Sequence, residues 1–413
     1  MKKLNKDMGC IRAYKFRLYP DEKRQDAINN TLILSQQLYN KLLEKTIEAH
    51  KKKPQSKISQ RTINIFMQEI LKDDERYYDL YSHVRVDIRN RMLRTYQNFF
   101  RRCKQKKSGG KVKVGFPRFK SRDKYNSVMH IENNGSFSIE KGRLRVSKIG
   151  TMKIELHRQI EGKIKTMTIK REDGKYYAIF TAIKDIRIPE VKDTNPVGID
   201  MGLKTFAVLS DGSKITKPNF RKNAEKHIAR WQRIVARRKK GSRRRQIAKD
   251  KLTREYEIAN NQANDYLHKI TDQLINSGYT SFAVEKLQIQ NMMKNHHLAK
   301  SINYASWNRF FQYLSYKAES AGMKVIEVDP RETSKTCSNC GNLQNMPLSK
   351  RIYFCEGCGL TEDRDINASI NILAKAREGH SRSHVQGDSV RPQREAVVEA
   401  TAASSSPLSS WRK

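Results

Sequence analysis

Apolar positions change period several times along the chain, and the changes divide it. The stretch IRAYKFRL alternates apolar and charged side chains, the period of a strand with one face in a core. Pro20 and Asp21 end that pattern. From about 22 to 50, Ile28, Leu32, Leu34, Leu38 and Leu42 recur at helical spacing, and residues 60–72 repeat it. So do residues 82–105, through Val84, Ile88, Met92, Tyr96, Phe99 and Phe100, before Ser108-Gly109-Gly110 breaks the helix. From about 112 to 188 the period falls to two. FSIEKGRLRVSKIG, MKIELH, KIKTMTIK and YYAIFTAI are short alternating runs separated by turns such as Glu172-Asp173-Gly174. Strands at this spacing predict a small barrel or sandwich.

Asp193–Pro196 reads as a linker. Beyond it NPVGID and KTFAVLS are apolar strands closed by Asp211-Gly212. A long basic helical stretch fills 221–275. SFAVEKL (281–287) is a buried-type strand, 304–321 an amphipathic helix and KVIEVD (324–329) a further strand. Strands alternating with helices predict an α/β domain. After about residue 377 the chain turns Ser-, Ala- and Arg-rich with few large apolar residues, which predicts a disordered tail over 378–413.

Charge changes the picture most. The formal net charge is +40, and it is focused: residues 101–150 hold 15 Lys/Arg against 3 Asp/Glu, and residues 201–250 hold 16 against 3. Solubility does not require such focusing, whereas a polyanion partner does, because each neutralised phosphate releases counterions. No apolar run approaches the roughly 20 residues of a spanning helix. The N-terminus lacks the continuous apolar segment of a signal peptide. The expected location is the prokaryotic cytoplasm, associated with the nucleoid, with no membrane partner.

In that reducing compartment, paired CxxC motifs indicate metal rather than disulfide. Cys337 and Cys340, then fourteen residues, then Cys355 and Cys358 have the spacing of a zinc ribbon. Gly341 and Gly359 follow each second cysteine and permit the tight turn that aims backbone N–H groups at sulfur. Four thiolates leave no open coordination position, so such a zinc is structural.

Acids supply the second constellation. Asp200 ends one apolar strand and Glu285 another, while Asp363 and Asp365 stand at the threshold of a helix. Singly, an acid at a strand end is a turn residue, and an Asp in a first helical turn is a cap. Either Asp363 or Asp365 serves as the cap and the other as a ligand. Together, Asp200, Glu285 and Asp365 can converge on one pocket as hard oxygen ligands for Mg²⁺. Two such ions activate water and stabilise the leaving oxygen of a phosphodiester. The order strand-Asp, strand-Glu, helix-Asp is that of RNase H-like nucleases.

Nucleic-acid contacts are expected in two places. In KVKVGFPRFKSRDKY (111–125), Phe116, Arg118, Phe119, Lys120 and Tyr125 offer stacking faces beside cations, unless the aromatic rings belong to the barrel core. In ARRKKGSRRRQIAKDK (236–251), Arg237, Arg238, Lys239, Lys240, Arg243, Arg244 and Arg245 are candidate phosphate contacts.

VGIDMGLKTFAVLSDG, AVEKLQIQNMMKN, TCSNCG with FCEGCG, and EDRDINASINIL, in that order, resemble the three RuvC motifs and zinc ribbon of the TnpB family. These are transposon-encoded RNA-guided nucleases related to miniature type V CRISPR effectors. KFRLYP, GFPRFK and SVRPQREAVVEA are similar to the family as well, so the resemblance spans nearly the whole chain. It implies a multidomain α/β fold: an RNase H-like RuvC nuclease domain with an inserted zinc ribbon, and a β-barrel wedge domain interrupted by a helical recognition domain. On this sequence the wedge takes 1–20 and 109–192 around a recognition domain at 21–108. RuvC motifs I and II take 193–332, the ribbon 333–361 and the motif III helix 362–377.

The resemblance also places the family's catalytic triad on Asp200, Glu285 and Asp365, with Mg²⁺, and its zinc ligands on the four cysteines. It implies a guide RNA from the transposon end as partner, and cleavage of double-stranded DNA beside a short flanking motif by a protein monomer within a ribonucleoprotein. Base pairing then reads sequence while protein reads shape. Three alternatives remain at this level: a nuclease-inactive RNA-guided regulator, a compact CRISPR effector and a strand-transfer transposase.

Overall fold

The structure, a computed structural model, describes residues 10–52, 58–110, 112–132, 135–184, 193–347 and 350–383. They fall into two compact units, one before residue 188 and one from there on.

The first unit runs β1 (Cys10–Tyr19), α1 (Glu22–Lys52), α2 (Gln60–Asp73), α3 (Ser82–Lys107), β2 (Ser127–Ile131), β3 (Phe137–Glu140), β4 (Arg143–Val146), β5 (Gly150–Glu155), β6 (Lys163–Glu172) and β7 (Lys175–Lys184). Its sheet has the order β2-β6-β7-β1-β5-β4-β3. The first strand in sequence therefore lies at the centre, antiparallel to β5 and β7. Alternation along β1 buries Tyr14, Phe16 and Leu18 on one face, where α1, α2 and α3 add Ile28, Leu38, Ile63, Ile88 and Met92 to the same core. Each such aliphatic side chain contributes about 1.5–3 kcal/mol.

The sheet's two edge strands, β2 and β3, are adjacent in sequence. The sheet must curl round until they meet, and Phe137 of β3 reaches Phe180 of β7 across the interior, with ring centroids 5.9 Å apart. The sheet is therefore strongly curled, and no ladder joins β2 to β3 among the described residues. GFPRFK forms no strand. Instead α1 holds it, with Asn40 exchanging hydrogen bonds with both backbone groups of Lys120 at 2.8 and 3.0 Å.

The second unit runs β8 (Pro196–Met201), β9 (Ala207–Leu209), β10 (Lys214–Ile215), α4 (Phe220–Asn223), α5 (Glu225–Arg237), α6 (Arg243–Asn276), β11 (Ser281–Glu285), α7 (Ile289–Met292), α8 (His296–Ala305), α9 (Trp307–Ser320), β12 (Lys324–Val328), β13 (Ile352–Phe354), β14 (Thr361–Asp363) and α10 (Arg364–Ser383). Its main sheet has the order β10-β9-β8-β11-β12, with β8, β11 and β12 parallel. Parallel strands need cover on both faces, hence the continuous apolar runs of β8 and β11. Phe310 and Leu314 of α9 and Leu267 of α6 join one core with Val197, Ile199 and Phe282. Ile372 and Ala376 of α10 pack with Ala283 and Val328 in another. None of the described helices is long and apolar enough to cross a membrane.

Three expectations need correction. Residues 193–195 are no free linker: Asp193 accepts from Ser281 Oγ at 2.7 Å, and Asn195 N–H donates to Thr280 Oγ1 at 2.9 Å. The helix expected over 304–321 is two, because Ser306 adopts a left-handed conformation (φ 60°) between α8 and α9. The last helix runs to Ser383, past the expected end at 377, because Ala376, Arg377 and Glu378 are helix formers. The rest of the expected tail, 384–413, lies outside the described residues.

One glycine governs the second unit. A Cβ on Gly198 would lie 2.0 Å from the Ser369 carbonyl oxygen and 3.0 Å from Leu373 Cβ. Only hydrogen at that position lets α10 lie against β8. Gly198→Ala is expected to destabilise this unit by about 3 kcal/mol, the upper end of overpacking costs, because backbone is what the methyl meets. Thermal melting should show a fall of several degrees, and an unchanged melting temperature would refute the tight contact.

Candidate active site

Asp200 and Glu285 stand at the carboxyl ends of β8 and β11, one step beyond the paired residues Ile199 and Val284. In open α/β sheets this end forms the ligand crevice. α10 begins there too, with Asp365 in its first turn. Burial, then the negative charges of Glu285 and Asp365, push the half-buried Asp200 carboxyl up to about 7, against a partial opposing pull from Arg364. Burial also raises Glu285, partly offset by the hydrogen bond from Thr333. The structure thus brings all three acids into one electrostatic neighbourhood.

Glu285 and Asp365 are also held from outside the trio. Thr333 Oγ1 donates to Glu285 Oε1 at 2.6 Å. Arg364 Nη2 reaches Asp365 Oδ1 at 3.2 Å, and Arg351 Nη1 reaches Asp365 Oδ2 at 3.4 Å. Asp363 is the cap: its Oδ1 accepts from the Asp365 backbone N–H at 2.8 Å, while Oδ2 pairs with Lys214 at 2.6 Å. Carboxylate oxygens are the donor type a hard divalent cation takes, although among the described residues only the cysteine quartet gathers its donor atoms within 4.8 Å of one another.

The four cysteines form the second candidate site, with all four sulfurs within 4.8 Å of one another. Cys337 Sγ lies 3.7 Å from Cys358 Sγ, and Cys340 Sγ 3.5 Å from Cys355 Sγ. Tetrahedral zinc with bonds of about 2.3 Å requires sulfur separations of about 3.8 Å. Gly341 and Gly359 have φ of 76° and 73°, as the knuckle turns require. The Leu360 backbone N–H holds the Cys358 thiol down to about 6.

Sequence reasoning missed what links the two sites. Asn367 Nδ2 donates to the Thr336 carbonyl at 2.8 Å, and its Oδ1 accepts from Ser338 N–H at 2.9 Å. Asn371 Nδ2 donates to the carbonyls of Thr333 (2.9 Å) and Thr336 (2.7 Å). These buried amides of α10 fasten the segment that enters the first knuckle and carries Thr333. The signal was present, since two asparagines four residues apart on the buried face of an apolar helix demand partners. Thr333, Arg351 and Arg364 carried no comparable pattern.

The remaining candidates separate by exposure. Phe116 packs edge-on to Tyr96 and Phe99 yet stays 40% exposed, and Phe119 is 57% exposed. Arg118 and Lys120 are exposed. Tyr125 is not available for stacking on a ligand: it is buried beside Tyr39 and under the Arg91 guanidinium. Arg237, Arg238, Lys239, Lys240, Arg243 and Arg244 are exposed around the α5–α6 turn. Arg245 instead donates to the Val235 carbonyl at 3.1 Å and closes α5.

These features define the class: a mixed α/β protein with a carboxylate cluster at the carboxyl ends of parallel strands beside a thiolate quartet. Family profiles agree. "Probable transposase" (OrfB of IS605) matches residues 175–296, "Cas12f1-like, TNB domain" 307–372, and an OrfB "Helix-turn-helix domain" 8–54, which here folds as β1 and α1. Relatives named "Putative RNA-guided DNA endonuclease" include one from Streptomyces pristinaespiralis, 31% identical over 93% of this chain and 93% of its own. InsQ of Escherichia coli K12, which shares that name, is 30% identical over 68% and 71%. The Cas12f1 chain of a cryo-EM Cas12f1–sgRNA–target DNA complex superposes with a TM-score of 0.57 at 14% identity, covering 88% of this chain and 98% of its own. The chain belongs to the TnpB family.

The raised Asp200 acid makes stability respond to pH. Its folded value of about 7 exceeds the ordinary 3.8, so its stabilising contribution is complete below about 4 and lost as pH rises through 7. In magnesium-free buffer, Asp200→Asn should therefore gain stability over the parent as pH rises from 5 to 8. The gain should reach about 2 kcal/mol after allowance for partial exposure. Melting curves at both pH values, with zinc left in place, would show it. A pH-independent difference would refute the raised Asp200 acid.

Proposed function

We propose that this protein is an RNA-guided DNA endonuclease that binds a structured guide RNA and hydrolyses phosphodiesters of complementary double-stranded DNA beside a short flanking motif. The observation carrying this reading is that Asp200, raised first by burial, also feels the charges of Glu285 and Asp365. Family membership and the focused positive charge support it. We read the second unit as a RuvC-type nuclease domain with an inserted zinc ribbon, and the first as a wedge barrel interrupted by a helical recognition domain.

Asp200, Glu285 and Asp365 would hold the divalent ions. Bound Mg²⁺ would lower the pKa of water and neutralise the leaving oxygen. The chain's own contribution is to hold the acids ready. Thr333 fixes one oxygen of Glu285, Asp363 caps the turn that carries Asp365, and Arg351 and Arg364 balance Asp365 when no cation is present. Phe116, Phe119, Arg118 and Lys120, with the α5–α6 turn, are assigned to guide or target contacts. An origin of the guide in the transposon end and action as a monomer belong to the same reading.

Asp200→Ala should abolish Mg²⁺-dependent cleavage of guide-matched plasmid while guide RNA still co-purifies with the protein. Full cutting by that variant would refute the site. The purified protein should contain about one zinc per chain, as a four-thiolate site implies. Metal analysis of Cys358→Ser should show loss of that zinc, together with a lower melting temperature from the untied 333–338 segment. A metal-free parent with four freely reactive thiols would refute the ribbon.

A further inference from the structure

Three cations of the second unit gather at the α8–α9 junction without an acid. Lys217, just past β10, donates to the carbonyls of Tyr304 at 3.0 Å and Ala305 at 2.7 Å. Its ammonium lies 5.3 Å from the centroid of the Phe206 ring. Arg221 of α4 donates to Asn303 Oδ1 at 3.2 Å and to Asn260 Oδ1 at 3.0 Å, beneath the rings of Tyr256 and Tyr304. Arg309, in the first turn of α9, donates to Asn264 Oδ1 at 2.8 Å. All three are half-buried.

Every one of these partners is neutral. Among the described residues no acid lies within ion-pair distance of any of the three. Three acids on the packed helices pair with other lysines: Glu225 with Lys300, Asp265 with Lys269 and Asp272 with Lys317. The three cations repel one another instead. Burial, then Arg309 and Arg221, depress the Lys217 ammonium to about 8, and burial with Arg309 lowers Arg221.

Half-buried like charges are costly unless something neutralises them. A purely structural role would be met by one acid, or by neutral side chains packed among the same asparagines. Here the asparagine amides orient the guanidinium groups without cancelling their charge, and two guanidinium forks beside one ammonium suit a phosphate. The location narrows the choice of strand. Lys214, three residues before Lys217, bridges Asp363, which caps the turn bearing Asp365. Three residues of extended chain span at most about 11 Å. Lys217 is therefore tethered close to the Lys214–Asp363 pair at the acidic end of the sheet.

We propose that Lys217, Arg221 and Arg309 form a phosphodiester-binding site for the DNA strand that runs to the acidic site. The assignment rests on the nuclease reading above and adds to it a positioning contact separate from the carboxylates.

The test uses guide-loaded protein in an Asp200→Asn background, so that binding is read without cutting. Affinity for labelled target DNA is measured across a salt series. Arg221→Gln and Arg309→Gln should each weaken DNA binding about tenfold and reduce the slope of log K against log salt by about one. Guide RNA affinity should hold, and the free proteins should keep a cooperative melting transition, so that lost DNA binding is not lost folding. Unchanged DNA affinity and slope would overturn the site. A loss confined to guide RNA would overturn the DNA assignment, and an equal loss in Lys269→Gln would reduce the effect to bulk charge and overturn the proposal. Cleavage by the parent complex is scored separately. A parent that binds DNA but never cuts it would sink the nuclease reading alone.

Discussion

The contact between α10 and β8 is the constraint on which both candidate sites depend. Gly198 removes the Cβ that would strike the Ser369 carbonyl, and the helix settles against the strand that carries Asp200. Asp365 reaches the carboxyl ends of the parallel strands only because of that approach. The same helix turns Asn367 and Asn371 toward the segment 333–338, whose Thr333 holds Glu285 and whose Cys337 opens the first knuckle. One helix therefore registers three acids and four thiols. The cysteine quartet is fastened to the segment that orients Glu285 as well as lying near it in sequence, a different relationship from a module that only borders a pocket.

Electrostatics gives this geometry its cost and its use. Burial, and after it the charges of Glu285 and Asp365, raises the Asp200 acid. The second unit places uncompensated positive charge beyond β10, where Lys217, Arg221 and Arg309 face neutral partners. Opposite excesses on one unit, each partly withdrawn from water, are complementary to cations at one point and to a polyanion at another. Each carries like charges that a bound group of opposite sign would neutralise.

Much of this was legible in the sequence, for identifiable reasons. The period-two and period-3.6 runs forecast the strands and helices because each element buries one face or, in β8 and β11, both. The cysteine spacing forecast the quartet because knuckle geometry is local, set by four residues and a glycine with positive φ. The acids were nameable as candidates, yet their convergence depends on the register of β8 with β11 and on a helix some eighty residues further on. No local pattern encodes that. The linker reading failed for a similar reason: Asp193 and Asn195 look like turn residues until Thr280 and Ser281 arrive from the far side of α6. Tyr125 was misread because a period cannot say which aromatic ring the core takes first, and Tyr39 with Arg91 took it.

Two kinds of basic surface emerge, and physics assigns them different work. The cations of the α5–α6 turn are exposed, on a hairpin closed by Ser242 and Arg245 and cored by Ile228, Val235 and Leu252. Long side chains in water attract a polyanion from a distance but fix no atom, and salt screens them. The α8–α9 cluster is the converse. Its cations are half-buried, held by asparagine amides and helix-end carbonyls, and lose little further freedom on binding. Such a site adds little to long-range capture and much to placement, which the proposed hydrolytic centre would require of its substrate strand. A chain carrying a net charge of +40 thus needs only a small, preorganised share of that charge to decide which phosphate meets the acids.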